Sequence, residues 1–249
     1  MMKYLLVLSG ILTFTAFTGN NSSISTYGEI NSKNKFISGT VTGTVSIPEQ
    51  NTTQRRFRGS SYRNRGNSSS SSSTTNEENS KYENTIVSAH PISFSLPDDL
   101  SGEPTIIGQK DATFLPNVTP VTVGTVVQFV NDDPFFHNVF SLTPGSKFNI
   151  GRRPTGDVYS KQIEAPKWKV TGIGPITLFC DIHSQMKATI LSLDTPFFTR
   201  LDEDGSYQMD DLPDGEYEIR VYSPGFEIAS KKIEVSSNSA IESNFNLTR

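Results

Sequence analysis

Phe179-Cys180-Asp181-Ile182-His183-Ser184-Gln185-Met186 places a thiol, an imidazole and a thioether within seven residues, and the thiol is the only one in the chain. A soft thiolate with imidazoles and a weak thioether is the donor set that holds copper in both oxidation states. The run therefore supplies half of a copper site and lacks a second imidazole. Its form, Cys-x-x-His-x-x-Met after an apolar β-run, suits a tight loop whose successive side chains converge on one point, with strands anchoring it on either side. A lone cysteine fits this chemistry, because a second thiol nearby would allow oxidation to a disulfide.

Two histidines are available to complete the set, His90 and His137. His137 lies in Val130-Asn131-Asp132-Asp133-Pro134-Phe135-Phe136-His137-Asn138-Val139-Phe140, an apolar strand end followed by a polar turn. His90 lies in Ser88-Ala89-His90-Pro91, precedes a proline and lacks soft neighbours, so it reads as a strand or surface residue. Zinc is the competing metal. Its structural sites pair Cys-x-x-Cys motifs, absent here, and do not use Met, so the thioether selects copper.

At these residues the chain resembles the cupredoxins, the blue-copper proteins of the plastocyanin and amicyanin type. The Cys180, His183, Met186 spacing is similar to the amicyanin loop, and Phe129-Val130-Asn131 followed by His137-Asn138-Val139-Phe140-Ser141 is similar to the first-histidine loop. The resemblance covers residues 85 to 195 and implies His137, Cys180, His183 and Met186 as ligands of one type 1 copper. Asn138 would tie the two metal loops together behind them. It further implies Cys180 as principal donor, His137 and His183 as equatorial ligands and Met186 as the axial ligand that tunes potential. Arg152, Arg153, Lys161, Lys167 and Trp168, between the two loops, match no functional residue of that family.

The amino terminus sets the expected compartment. Lys3 precedes an apolar stretch from Leu5 to about Phe17, shorter than the roughly 20 residues that span a bilayer and suited to a signal-peptide core. The expectation is a signal peptide over 1–19, periplasmic or extracellular localisation and no transmembrane segment. A formal charge of −4 and a pI near 5.4 are too mild to name a partner.

Residues 37–47 are rich in β-branched side chains and read as an N-terminal strand. Residues 50–84 carry Arg55, Arg56, Arg58, Arg63 and Arg65 and then an unbroken serine run from Ser68 to Ser73, too few apolar groups to offset the entropy of ordering. The expectation there is a disordered insert and tether, with no nucleic-acid role in an exported protein. From Thr85 short β-runs follow one another: 91–96, 105–108, 112–115, 121–130, 162–164, 175–180 and 186–193. Turn signals such as Val123-Gly124 and Asp132-Asp133-Pro134 divide them, the mark of a β-sandwich.

Residues 195–249 carry two hairpin-linked runs, each introduced by an Asp-Gly pair, Asp204-Gly205 and Asp214-Gly215. They resemble the carboxypeptidase-regulatory-like fold, and Asp202-Glu203-Asp204 reads as a solvated turn. The predicted fold class is all-β: a cupredoxin-like Greek-key sandwich over 85–194 with a small C-terminal β-sandwich over 195–249.

The function expected is an exported mononuclear electron carrier serving a redox protein partner, with no chemistry on a substrate. Copper oxidases and nitrite reductases need further histidine-rich sites, and the chain holds three histidines in all. Two other classes use the same residues or none of them: a Cu(I) carrier or scavenger, and an envelope-associated binding or structural protein.

Overall fold

The structure, a computed structural model, describes residues 38–48, 81–164 and 173–249. The expected signal peptide, Ile37, the insert up to residue 80, Lys167 and Trp168 lie outside the described residues. Apart from one helical turn at Lys81–Glu83, the described regular structure is all β. No helix among the described residues is long and apolar enough to cross a membrane.

In chain order the strands are β1 (Ser38–Ser46), β2 (Ile86–Pro91), β3 (Thr105–Lys110), β4 (Thr113–Leu115), β5 (Val118–Thr122), β6 (Val126–Asn131), β7 (His137–Ser141), β8 (Phe148–Arg153), β9 (Val158–Gln162), β10 (Ile173–Phe179) and β11 (Lys187–Leu193). They continue as β12 (Phe198–Arg200), β13 (Ser206–Pro213), β14 (Gly215–Tyr222), β15 (Ala229–Val235), β16 (Ala240–Glu242) and β17 (Phe245–Asn246). The run 121–130 divides into β5 and β6 at Gly124, whose φ of +90° lets the chain reverse. Of the run 91–96, only Pro91 is strand.

Two sandwiches result. One packs the sheet β5-β11-β10-β7-β8 against the sheet β4-β3-β6-β9. Between them lie Ile107, Phe114, Val127, Phe129, Ile176, Leu178 and Ile190, all nearly or fully buried, together with Cys180 and Met186. The other packs β13-β1-β16, with β17 also paired to β1, against β12-β2-β14-β15, around Val41, Val87, Ile219, Val221 and Tyr217.

Strand membership differs from the linear division of the chain. A boundary at 194/195 puts Ile86–Pro91 with the upstream unit, but β2 pairs antiparallel with β12 and β14. Strand β1 pairs with β13, β16 and β17. Strands β1 and β2 complete the two sheets of the C-terminal strands, and a unit enlarged in this way buries a larger share of its surface. The first sandwich, β3–β11, is thus inserted between two neighbouring strands of the second.

Alternation explains β1: Gly39, Val41, Gly43 and Val45 point inward and the threonines between them outward. Gly43 is required by close approach, since a Cβ there would sit 2.1 Å from the Ser243 carbonyl oxygen. The sandwiches meet through outer-face residues, Val118, Leu191 and Leu193 on one side and Ile86, Phe198 and Tyr222 on the other.

Candidate metal centre

The β6–β7 turn is built by Asn131. Its Oδ1 accepts from Asp133 N at 3.0 Å, and its Nδ2 donates to Phe135 O at 2.8 Å and to Arg153 O at 3.0 Å. These bonds fix the five residues before His137 and join them to β8. His137 then opens β7 with no exposed surface. On the neighbouring strand β10, Cys180 follows the last paired residue, Phe179, which lies opposite Phe140 of β7. The loop 180–186 closes with Met186 N donating to His183 O at 3.0 Å.

These two loops bring three donors together. His137 Nδ1 lies 3.2 Å from His183 Nδ1 and 4.0 Å from Cys180 Sγ. The ligand atoms of His137, Cys180 and His183 all fall within 4.8 Å of one another, the arrangement of a group that could hold one metal ion. Met186 is buried in the same core as Cys180. The donors are soft and borderline, two imidazoles and one thiol, and with a thioether buried in the same core as the thiol this chemistry fits copper better than zinc.

Asp133 is the residue that sequence reasoning missed. Its carboxylate is buried and accepts from His137 Nε2 at 2.6 Å. Asp111 N and Ala112 N, in the turn between β3 and β4, donate to the same carboxylate at 2.7 and 2.9 Å. Both turn residues have positive φ, 53° and 51°, a conformation uncommon outside glycine. Burial pushes the Asp133 carboxyl up, but the hydrogen bonds from Ala112, His137 and Asp111 outweigh it and hold it below the ordinary carboxylate range. Asp132-Asp133-Pro134 signals a turn in sequence, but which aspartate faces inward depends on a turn some twenty residues upstream.

Asn138 is buried, and its Oδ1 has no hydrogen-bond partner. The bonds found bracing this region are those of Asn131 and Asp133.

The rim is apolar. Phe135, 41% exposed, stands edge-on to His137 and tilted on His183, with centroids 5.1 and 5.3 Å away. Phe136 and Ile182 are exposed beside it, and His183 is half-buried. The cations without a counterpart in the resemblance have local roles. Arg152 approaches Asp181 at 4.0 Å. Arg153 donates twice to Ile150 O, at 2.9 and 2.7 Å, and lies over the Tyr159 ring. Lys161 lies over Phe148.

His90 is a strand residue remote from this cluster. Its Nδ1 contacts Asp194 Oδ1 at 2.7 Å and its Nε2 contacts Ser88 Oγ at 2.9 Å. The order serine, histidine, aspartate is that of a hydrolytic triad. Ser88 is only 1% exposed, so no substrate reaches the hydroxyl, and the trio clasps the connection after β11 to β2.

Residues 170–243 match the family model described as polysaccharide lyase family 4, domain II. That is a different family from the carboxypeptidase-regulatory-like one expected for the C-terminal strands. No curated protein matches the chain. Among solved structures, the copper-containing nitrite reductase of Thermus scotoductus SA-01 is 22% identical over 43% of this chain and 26% of its own, with a TM-score of 0.33. A purple cupredoxin from Nitrosopumilus maritimus is 22% identical over 35% of this chain and 98% of its own, at 0.30. A mutant of amicyanin in its reduced Cu(I) form is 14% identical over 43% of this chain and 97% of its own, at 0.31. At such scores the likeness carries no argument, and the case for a metal rests on the side chains.

Proposed function

We infer that the chain is an exported electron carrier that holds one type 1 copper through His137, Cys180, His183 and Met186 and passes electrons to and from a redox protein. The convergence of two imidazoles and the only thiol within 4.8 Å carries this reading. Copper bound there supplies one-electron chemistry between Cu(I) and Cu(II). The residues of the chain do the rest. Burial of Cys180, 4% exposed, keeps its sulfur from oxidants. Phe135 packs against both imidazoles, and His137 has no exposed surface. The paired β7 and β10 keep the two loops at a fixed separation.

Electron carriage is favoured over catalysis by the histidine count. His90, the third histidine, is engaged by Ser88 and Asp194, which leaves no imidazole for a second copper. The surroundings also suit a protein partner. The second sandwich packs at Leu191 and Leu193, and at about 3.3 Å per residue Leu193 lies roughly 20 Å along β11 from the metal loop. Phe135, Phe136 and Ile182 therefore stay open to a partner. Export is supported by the apolar stretch after Lys3 and by a single thiol with a local role.

Titration with Cu(II), followed by visible absorption, tests the reading. One equivalent should give an intense thiolate-to-copper band. A colourless protein that retains only Cu(I) would identify a Cu(I) carrier, and failure to retain copper would leave a structural or binding protein.

A further inference from the structure

The β3–β4 turn belongs to neither metal loop, yet its backbone ends on the same carboxylate as His137. Asp133 makes four contacts: its N–H donates to Asn131 Oδ1, Asp111 N donates to Oδ1, Ala112 N donates to Oδ2, and His137 Nε2 lies 2.6 Å from Oδ2. The two donors from consecutive positive-φ residues point the same way, and only an acceptor fits between them. A carboxylate so placed is a fixed acceptor, and the histidine nitrogen facing it must carry the hydrogen. His137 Nδ1 is then bare and directed at Cys180 and His183. The 3.2 Å contact between the two Nδ1 atoms needs one hydrogen, and His183 must provide it.

We propose that Asp133 is a positioning residue of the metal centre. Anchored by the Asp111–Ala112 turn, it holds His137 as the Nε2–H tautomer with Nδ1 ready to bind, and its negative charge favours Cu(II) over Cu(I). The second half of this statement rests on the copper reading above, and the first half does not. Metal-bound histidines commonly donate their other N–H to such a group, and its loss typically costs about 10- to 100-fold in metal affinity. Here the carboxylate serves a third loop as well as the ligand, so the turn 111–112 becomes part of the site.

Long-range 1H–15N correlation spectra of the metal-free full chain test the tautomer directly. The expected result is Nε2–H on His137 and Nδ1–H on His183, and Nδ1–H on His137 would overturn the proposal whatever the protein does with copper. Asp133→Asn then tests the charge, with Cu(II) and Cu(I) affinities measured separately by competition. Cu(II) affinity should fall about 10- to 100-fold, Cu(I) affinity should fall less, and the reduction potential should rise accordingly. Equal losses in both states, or none, would overturn the electrostatic role. Should Asp133→Asn not fold, as judged by circular dichroism, the wild-type tautomers decide. A chain that binds no copper yet shows the expected tautomers would refute the copper reading and the charge role, but not the positioning of His137.

Discussion

Among individual residues, Cys180 carries the most chemistry. Cys180→Ser replaces a soft, ionisable sulfur with a hydroxyl that is neither, so the visible band and tight copper binding should vanish. The fold should survive, because no disulfide is lost and a buried hydroxyl costs about 1–3 kcal/mol. Circular dichroism of the variant should match the parent, and an unchanged band would show that the thiol is not a ligand. Met186 makes a finer test. Met186→Leu keeps volume and apolarity, so it should retain copper while the potential rises, because Cu(II) loses a weak donor. Voltammetry on both proteins checks this, and equal potentials would leave Met186 an ordinary core residue. The grouping of the thiol with two imidazoles was legible because their chemistry is rare in this chain and the thiol and one imidazole are closely spaced. Asp133 was not legible, because its meaning depends on backbone donors at Asp111 and Ala112 that only the folded sheet brings to it.

For the strands, legibility follows pattern. β1 alternates cleanly, and its expected span of 37–47 agrees with Ser38–Ser46 to within a residue at each end among those described. β8, reading Phe-Asn-Ile-Gly-Arg-Arg, offers one glycine and two arginines in six residues and no strand signal, and pairing to β7 creates it. Glycines inside β1 look like weaknesses in sequence. Gly43 shows otherwise, because the parallel partners on one side of β1 bring the Ser243 backbone against it. Gly43→Ala should therefore destabilise the second sandwich by about 1–3 kcal/mol, seen as a lower midpoint in urea. The copper band at low urea should be unaltered, since every proposed ligand lies in the first sandwich. A variant as stable as the parent would mean that β1 shifts easily and does not set the register.

For the whole molecule, the insertion of one sandwich into the other makes the junction between β11 and β12 a mechanical element. Composition and local pattern could place the strands but not the partners of β2, because that pairing spans more than a hundred residues of chain. Three polar ties reinforce the apolar contact there. Arg200 donates to Glu83 O and Val118 O at 2.6 Å each, Thr195 Oγ1 donates to Ala89 O at 2.7 Å, and Asp194 meets His90. Burial pushes the Asp194 carboxyl up, but the hydrogen bond and charge of His90 and the charge of Arg220 outweigh this and hold it below its ordinary range. A carboxyl with a depressed folded-state pKa stabilises the fold at every pH above its unfolded value of about 3.9, and that contribution disappears as pH falls through the folded value. Asp194 is 50% exposed, so screening limits the effect to about 1 kcal/mol or less. Asp194→Asn keeps an acceptor for His90 and removes only the charge. Its melting temperature should lie below that of the parent from neutrality down to about pH 4, converge with it at lower pH, and differ less at high salt. A gap that persists at the lowest pH, or widens as pH falls, would show that the charge of Asp194 does not hold the two sandwiches together.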